Sequence, residues 1–247
     1  MDDHALARDL ASAARDLLVE VRRGGLSGRE LGREGDRQAH ELLVAALRVH
    51  RPEDAVRSEE GGAVSGGDGR LWIVDPLDGT VEYCERGRGD WAVHVALAVG
   101  GRVVAGAVAL SSGKTWWTGA PEPLAAVPER RPLVAVSRSH RPALVDGLAE
   151  VADVELVPMG SAGVKAMAVC SGEVDAYVHA GGQYEWDSAA PVAVALAAGA
   201  HASRVDGGPM VYGNRDPLIP DLVICRPELR DRLLGALAEL RARGVSV

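Results

Sequence analysis

The chain has 247 residues, of which 47% are hydrophobic and 25% are charged, a composition typical of one or two folded domains and not of a disordered or collagen-like chain. Its 27 basic and 35 acidic residues give a net charge of −8, which disfavours binding to nucleic acid or to an anionic membrane. The N-terminus is acidic, unlike a signal peptide, and the apolar stretch near 190–200 is too short to cross a bilayer. The three cysteines are widely spaced and form no CxxC motif. These features predict a reducing, cytoplasmic compartment.

Two amphipathic helices are predicted at the start of the chain. Leucine, alanine and valine residues recur at steps of three and four over 5–23, which predicts a helix that ends before Gly24–Gly25. The polar residues 26–35 are predicted to form a loop. Asp36 then occupies the position of an N-cap, and a second helix is predicted from it to about His50.

Short strands are predicted after the second helix. Glycine accounts for five of the nine residues over 61–69, which predicts a flexible surface loop. Gly100–Gly101 separates two apolar runs and is predicted to form a two-residue hairpin turn. The stretch 120–132, which contains several Pro and Ala residues, is predicted to be a boundary. The predicted strands of this half span 71–75, 91–99, 102–110 and 114–119.

Strands and helices alternate beyond the boundary, which is typical of a mixed or mostly parallel sheet covered by helices. We therefore expect an N-terminal half over 1–130 with an antiparallel sheet and metal-binding motifs. We expect a C-terminal half over 131–247 that adds substrate contacts. The predicted strands of the second half span 133–137, 154–158, 175–179 and 221–225, and its helices span 142–151, 162–170, 188–198 and 227–243.

The densest chemistry lies in the segment WIVDPLDGT over 72–80. Asp75 ends a buried-type strand, Pro76 is predicted to stop that strand, and Asp78 follows just before a short helix that begins at Thr80. Two carboxylates at this spacing can point into one pocket, where oxygen ligands suit Mg²⁺, and the N–H groups at the helix start can bind an anion. The alternative is structural: Asp78 caps the helix and Asp75 closes a turn.

Three further acidic residues are ambiguous when each is taken alone. Glu59 lies in the motif SEE, where paired glutamates are commonly solvated. Asp187 lies in WDSAAP at a predicted helix start, where capping is the alternative, and Asp36 has the N-cap interpretation already given. Together with WIVDPLDGT they favour a single metal site, because four acidic segments in one chain are less ambiguous than each segment alone.

These motifs resemble the inositol monophosphatase superfamily. SEE, WIVDPLDGT and WDSAAP follow one another in the superfamily's order and span most of the chain. The resemblance implies an α+β fold, a layered α-β-α-β-α sandwich of the fructose-1,6-bisphosphatase and inositol monophosphatase type, and a Mg²⁺-dependent, lithium-sensitive phosphatase. Two stretches, VSRSH over 136–140 and GSAGVK over 160–165, resemble the CysQ-type branch of 3′(2′),5′-bisphosphate nucleotidases.

The resemblance also implies a role for each matching residue. Two or three Mg²⁺ ions would be held by Glu59, Asp75, the Leu77 carbonyl, Asp78 and Asp187. The attacking water would be oriented and deprotonated by Asp36 and Thr80, although the segment GREG before Asp36 departs from the superfamily pattern. The substrate would contact Gly79, Thr80, Arg138, His140, Ser161 and Lys165. His179 receives no role.

The expected reaction is hydrolysis of the 3′-phosphate of 3′-phosphoadenosine 5′-phosphate to AMP and phosphate, in sulfate assimilation, with the sulfated nucleotide as a further substrate. Lys165 favours this branch, because it is one of only two lysines beside 25 arginines and suits a phosphate. The alternative substrate is inositol monophosphate or fructose 1,6-bisphosphate. A third hypothesis, binding to the transcription machinery, is disfavoured by the acidic charge. The superfamily resemblance also implies a homodimer.

Overall fold

Two β-sheets and the helices packed on them form the structure, a computed structural model that describes residues 1–64, 69–127 and 129–245. The helices are α1 (Asp3–Arg23), α2 (Gly28–His50), α3 (Thr80–Cys84), α4 (Ala143–Asp146), α5 (Leu148–Val151), α6 (Ala162–Ser171), α7 (Glu185–Ala197) and α8 (Arg230–Ala242), the last preceded by a 3₁₀ turn at Pro227–Leu229. The strands are β1 (Ala55–Ser58), β2 (Gly61–Val64), β3 (Arg70–Asp78), β4 (Ala92–Val99), β5 (Arg102–Leu110), β6 (Thr115–Trp117), β7 (Leu133–Ser137), β8 (Glu155–Met159), β9 (Ala176–Tyr184), β10 (His201–Ser203) and β11 (Leu218–Cys225).

The first sheet has the strand order β2-β1-β3-β4-β5-β6. Its pairs are antiparallel except for β1 with β3, which run parallel. Gly100–Gly101 joins β4 to β5, and both glycines have a positive φ, as a tight turn between right-twisted strands requires. The predicted hairpin is therefore confirmed.

The second sheet has the order β10-β11-β9-β7-β8. Strand β7 runs parallel to both of its neighbours, β8 and β9. Strand β11 runs antiparallel to β9 and β10. The sheet is therefore mixed, as the alternation of strands and helices predicts.

Three apolar cores separate the layers of the fold. Helices α1 and α2 cover one face of the first sheet, α6 and α7 lie between the sheets, and α4, α5 and α8 cover the far face of the second sheet. Alternate residues of a strand enter different cores: Val93 and Val95 pack with the N-terminal helices, whereas Ala92 and Ala96 pack with α6 and α7. The predicted α-β-α-β-α sandwich is thus confirmed.

Helix α2 starts at Gly28, so the loop predicted over 26–35 and the N-cap predicted at Asp36 are both wrong. The buried stripe of the helix continues toward its N-terminus, and Asp36 lies in the interior of the helix. Glycines in this segment suggest a loop, but they serve packing. A Cβ on Gly32 would lie 2.8 Å from Cys84 Sγ, so glycine lets α2 approach α3 closely.

Strand β3 continues through Pro76, although the sequence predicts that this proline stops the strand. Its pairing with β4 is irregular between Asp75 and Asp78, and this irregularity accommodates the missing proline N–H. The first part of the predicted glycine loop, Gly61–Val64, is instead strand β2, and residues 65–68 lie outside the described residues.

The helix predicted over 142–151 is divided at Gly147 into α4 and α5, where a Cβ would lie 2.7 Å from Leu240 of α8. The stretch predicted as a boundary, 120–132, contains neither helix nor strand in its described residues, and it lies between the two sheets in the chain.

Within the described ranges, the helices are too short or too polar to span a membrane.

Candidate active site

Three aspartates from distant parts of the chain meet at one point of the fold. Asp75 and Asp78 lie near the end of β3, and Asp187 lies in the first turn of α7. Each offers a carboxylate oxygen, and these oxygens lie within 4.8 Å of one another. The structure therefore brings WIVDPLDGT and WDSAAP together, and we name these three residues the acidic cluster.

Asp75 is the most enclosed member of the acidic cluster, with 1% of its surface exposed. Its Oδ1 accepts a hydrogen bond from the Leu77 N–H at 3.1 Å, so it also closes a turn. Burial and the charges of Glu59 and Asp78 raise the pKa of Asp75 well above its usual value. A cation nearby would favour the ionised form of such a crowded carboxylate.

Asp78 caps a helix that follows it by more than eighty residues. Its Oδ1 accepts a hydrogen bond from the Ala162 N–H at 3.0 Å, and its Oδ2 accepts from the Gly163 N–H at 2.7 Å and from the Ser161 hydroxyl. Asp78 therefore caps a helix, as the structural alternative predicts, but the helix is α6 and not α3. Burial opposes ionisation of Asp78, but His94, the charge of Lys165 and the Ser161 hydroxyl outweigh it and lower the pKa of Asp78.

His94 of β4 is a functional candidate that the sequence does not reveal. It is fully buried, its Nε2 lies 3.1 Å from Asp78 Oδ2, and its Nδ1 lies 3.1 Å from the Trp186 carbonyl oxygen. Burial would lower the pKa of His94, but attraction to Asp78 outweighs it and raises the pKa. A histidine within an apolar strand gives no sequence signal, because its partners come from two other segments.

Asp187 combines the two roles considered for it. Its Oδ2 accepts a hydrogen bond from the Tyr184 N–H at 2.6 Å, which caps α7, while its carboxylate also belongs to the acidic cluster. Burial and the charge of Asp78 raise the pKa of Asp187 to about 6. Helix α7 begins three residues earlier than predicted, at Glu185, which places Asp187 inside its first turn.

Glu59 lies beside the acidic cluster, and Asp36 lies close to Glu59 and Glu60. Glu59 is exposed over the residue as a whole, but its carboxylate is partly shielded from water. This desolvation and the charge of Asp187 raise the pKa of Glu59 to about 7. Asp36 is buried, and burial, Glu60 and Glu59 raise its pKa to about 7. Asp36 Oδ1 has no hydrogen-bond partner among the described residues. A buried oxygen without a partner, beside other acidic groups, fits a site that receives cations.

The sequence-predicted pair of Asp36 and Thr80 is not joined by a hydrogen bond. Thr80 Oγ1 donates instead to the Leu77 carbonyl oxygen at 3.1 Å. Asp36 and Thr80 nevertheless line one cavity of about 490 Å³. Gly79 has a φ of +88°, and a Cβ there would lie 2.9 Å from the Asp90 carbonyl oxygen, so the turn between β3 and α3 requires glycine.

Lys165 lies in α6 with 4% of its surface exposed, which is rare for a lysine. It forms no ion pair with a carboxylate of the described residues, and its ammonium lies 5.1 Å from the centre of the Tyr177 ring. Burial lowers the pKa of Lys165, and the more distant charge of Asp78 only partly offsets this. A phosphate group would be a favourable partner for this enclosed ammonium.

The other predicted substrate residues differ in their exposure and in the contacts that their side chains already make. Ser161 is the N-cap of α6 and is also bonded to the acidic cluster. Arg138 is exposed, and its guanidinium pairs with two carboxylates of the first half of the chain. His140 is exposed, and its ring centre lies 6.2 Å from that of His179. The charges of Lys165 and His140 both lower the pKa of His179, so these three side chains lie near one another.

His179 and Gln183 of β9 are further candidates that have no predicted role. His179 Nε2 and Gln183 Oε1 are buried without a hydrogen-bond partner in the described part of the chain. Burial and the charge of Lys165 lower the pKa of His179 to about 4, which keeps it neutral. Gln183 donates to the Tyr177 hydroxyl at 2.7 Å. Unsatisfied polar atoms in this position are typical of a pocket that binds a ligand.

Comparison with known proteins adds a family and relatives to this geometry. The sequence profile of the inositol monophosphatase family matches residues 4–242. A 3′-phosphoadenosine 5′-phosphate phosphatase of Mycobacterium leprae (strain TN) is 46% identical, over 97% of this chain and 95% of that protein. The 3′(2′),5′-bisphosphate nucleotidase CysQ of Escherichia coli (strain K12) is 34% identical, over 74% of this chain and 80% of that protein. The crystal structure of CysQ from Bacteroides thetaiotaomicron superposes with a TM-score of 0.75 at 28% identity, over 91% of this chain and 98% of that one.

Proposed function

The chain belongs to the inositol monophosphatase family, and we propose that it is a phosphatase that converts 3′-phosphoadenosine 5′-phosphate to AMP and phosphate. The observation that carries this function is the acidic cluster together with the enclosed ammonium of Lys165, which forms no ion pair among the described residues. The first suits metal-assisted hydrolysis, and the second suits a substrate with a further phosphate. The sulfated nucleotide is a further substrate, and the reaction serves sulfate assimilation.

Mg²⁺ is the proposed cofactor, because the donors at the site are hard carboxylate and carbonyl oxygens. The residues that would hold two or three ions are Glu59, Asp75, the Leu77 carbonyl, Asp78 and Asp187. The raised pKa values of Glu59, Asp75 and Asp187 support this, since like charges at this spacing call for a cation. When bound, Mg²⁺ supplies the charge that activates water and stabilises the oxygen of the leaving group.

Asp36 is the proposed base. With a pKa of about 7 it is partly ionised near neutral pH, and it can take a proton from the attacking water. Thr80 lines the same cavity and would orient that water. The water oxygen bonds to phosphorus while the bond from phosphorus to the 3′-oxygen breaks, and the 3′-oxygen takes a proton from solvent water to become a hydroxyl of AMP.

Backbone groups at the turn between β3 and α3 would hold the phosphoryl oxygens. The N–H groups of Gly79 and Thr80 are the candidates, and they stabilise charge that builds on phosphorus during the reaction. The close approach of the Asp90 carbonyl and the positive φ at Gly79 fix the path of this turn. A defined backbone is what such electrostatic stabilisation requires, because the donors then need no rearrangement.

The second phosphate of the nucleotide would bind on the side of α6 that carries Lys165. Arg138 and His140 approach from the end of β7, and Ser161 caps α6. His179, buried and with a ring nitrogen that has no partner among the described residues, lies near Lys165 and offers a further polar contact. Inositol monophosphate has no second phosphate and would leave these groups unused.

The test is phosphate release from 3′-phosphoadenosine 5′-phosphate, inositol monophosphate and fructose 1,6-bisphosphate, measured with one preparation. We expect the nucleotide to have the highest kcat/KM by about tenfold or more, activity to require Mg²⁺, and millimolar Li⁺ to inhibit. A preference for inositol monophosphate would instead support the alternative substrate. Failure to hydrolyse all three with Mg²⁺ present would reject the phosphatase. Gel filtration of the same preparation tests the homodimer that the superfamily resemblance implies.

A further inference from the structure

His94 lies directly opposite Asp75 in the ladder between β3 and β4. Its side chain is fully buried on the face of β4 that packs against α6 and α7. On that face the strand otherwise carries Ala92, Ala96 and Ala98, so packing alone calls for a small apolar residue at this position. A buried imidazole needs polar partners to offset its desolvation.

The partners of His94 all belong to the acidic cluster or to its immediate neighbour in the chain. Nε2 lies 3.1 Å from Asp78 Oδ2, a close electrostatic contact between the imidazole and the carboxylate. Nδ1 lies 3.1 Å from the carbonyl oxygen of Trp186, which immediately precedes Asp187. Nδ1 also lies 3.9 Å from Asp75 Oδ2. One side chain thus joins the end of β3 to the start of α7.

The first turn of α6 leaves room for this imidazole. A Cβ on Gly163 would lie 2.2 Å from His94 Nε2 and 3.0 Å from Val108 Cγ1, so a larger residue would displace the ring. The absence of a side chain also lets the Gly163 N–H reach Asp78 Oδ2 at 2.7 Å. Gly163 and His94 therefore hold the same carboxylate oxygen from two sides.

These contacts divide the two oxygens of Asp78 unequally. Oδ2 is surrounded by the Ser161 hydroxyl, the Gly163 N–H and His94 Nε2, whereas Oδ1 accepts one bond, from Ala162. A carboxylate oxygen has two lone-pair positions, so the hydrogen bonds from the described residues leave one position of Oδ1 free.

We propose that His94 is a positioning residue that holds the Asp78 carboxylate so that Oδ1 can bind a divalent cation. The proposal rests on the proposed function in one respect, since it takes Asp78 as a metal ligand. Groups that orient a ligand without touching the metal affect metal affinity by about 10- to 100-fold. The distinctive consequence is therefore a change in cation affinity and not a general loss of turnover.

The variant His94→Leu removes the polar contacts and keeps a side chain of similar volume. We expect the half-saturating Mg²⁺ concentration for phosphatase activity to rise about tenfold, with turnover at saturating Mg²⁺ largely retained. Mn²⁺ binding to the substrate-free protein, measured by calorimetry, should weaken by a similar factor. Because the binding measurement needs no turnover, it decides the proposal even if the substrate assignment fails.

Gly163→Ala provides a second variant, which keeps His94 but pushes its ring away from Asp78. It should weaken Mn²⁺ binding in the same direction as His94→Leu. Its matched control is Gly235→Ala in α8, where a Cβ would meet no atom within 4 Å and Mn²⁺ binding should not change. If His94→Leu lowers only the melting temperature and both cation measurements match the parent, His94 is a packing residue and the proposal is wrong. If His94→Leu does not fold, unchanged Mn²⁺ binding in Gly163→Ala likewise rejects the proposal.

Discussion

Arg57 of β1 forms an ion pair with Glu185, the first residue of α7, across a sequence separation of 128 residues. Glu185 is fully buried, and the Asn214 N–H also donates to it at 3.0 Å. Arg57 in turn donates to the Asn214 carbonyl oxygen at 2.8 Å. The pair therefore sets the spacing between the strand that leads to Glu59 and the helix that carries Asp187.

Arg57→Ala should lower the free energy of unfolding by about 3–5 kcal/mol, because it leaves the buried Glu185 without its charged partner. Urea unfolding monitored by circular dichroism measures this change. Arg37→Ala is the matched control: Arg37 pairs with Glu34 and Glu41 on the surface, and its loss should change stability by less than about 1 kcal/mol. Equal effects of the two variants would mean that the Arg57 pair contributes no more than a surface contact.

Asp75→Asn should reduce turnover at saturating Mg²⁺ to below a tenth of the parent value. The variant removes the charge of a proposed metal ligand, whereas the fold should survive because one repulsive group leaves a crowded site. Phosphate release and thermal unfolding of the same sample separate these effects. Asp231→Asn, whose side chain is 97% exposed on α8, should leave both measurements unchanged. Turnover of Asp75→Asn close to that of the parent would contradict the metal assignment.

The strands and the acidic cluster can be predicted from the sequence because their signals are local. Alternating apolar residues predict β5 with the bounds that the structure has, and aspartates at strand and helix ends mark the segments that converge. The wrong N-cap prediction for Asp36 has a local cause as well. Glycines in GREG suggest a loop, and only the packing of α2 against α3 shows that the helix needs them.

Contacts between distant segments cannot be predicted in this way. His94 looks like an ordinary strand residue until α6 and the start of α7 are placed around it. Asp78 is a candidate cap for α3 because it stands just before that helix in the sequence, but its hydrogen-bond donors come from residues 161–163. The buried pair of Arg57 and Glu185 has no sequence signal at either residue, because each is an ordinary surface type.

The metal-free protein should become less stable as the pH rises from about 5 to 7. The pKa values of Asp36 and Glu59 are raised to about 7 and that of Asp187 to about 6, so the folded state binds more protons than the unfolded state in this range. Stability therefore falls as these groups ionise. His179, with a pKa lowered to about 4, opposes this trend below pH 6.5, but three acids outweigh one histidine.

Chemical unfolding at pH 5, 6 and 7 with a chelator measures this dependence, and Asp36→Asn should make it shallower by removing one of the three acids. Addition of Mg²⁺ should stabilise the protein more at pH 7 than at pH 5, because the cation pairs with the ionised carboxylates. A metal-free protein that gains stability over this pH range would show that these carboxylates are not crowded in solution.

Lys165→Met should separate the nucleotide substrate from the alternative. Methionine keeps most of the buried volume of the side chain but removes the ammonium, which forms no ion pair within the described residues. A charge-assisted contact is worth about 1.5–3 kcal/mol, so KM for 3′-phosphoadenosine 5′-phosphate should rise about tenfold or more. Inositol monophosphate lacks the second phosphate and should lose much less, in parallel initial-rate measurements at saturating Mg²⁺. If KM rises equally for both substrates, Lys165 contacts the reacting phosphate or supports α6. A contact to a phosphate that only the nucleotide carries cannot change KM for inositol monophosphate.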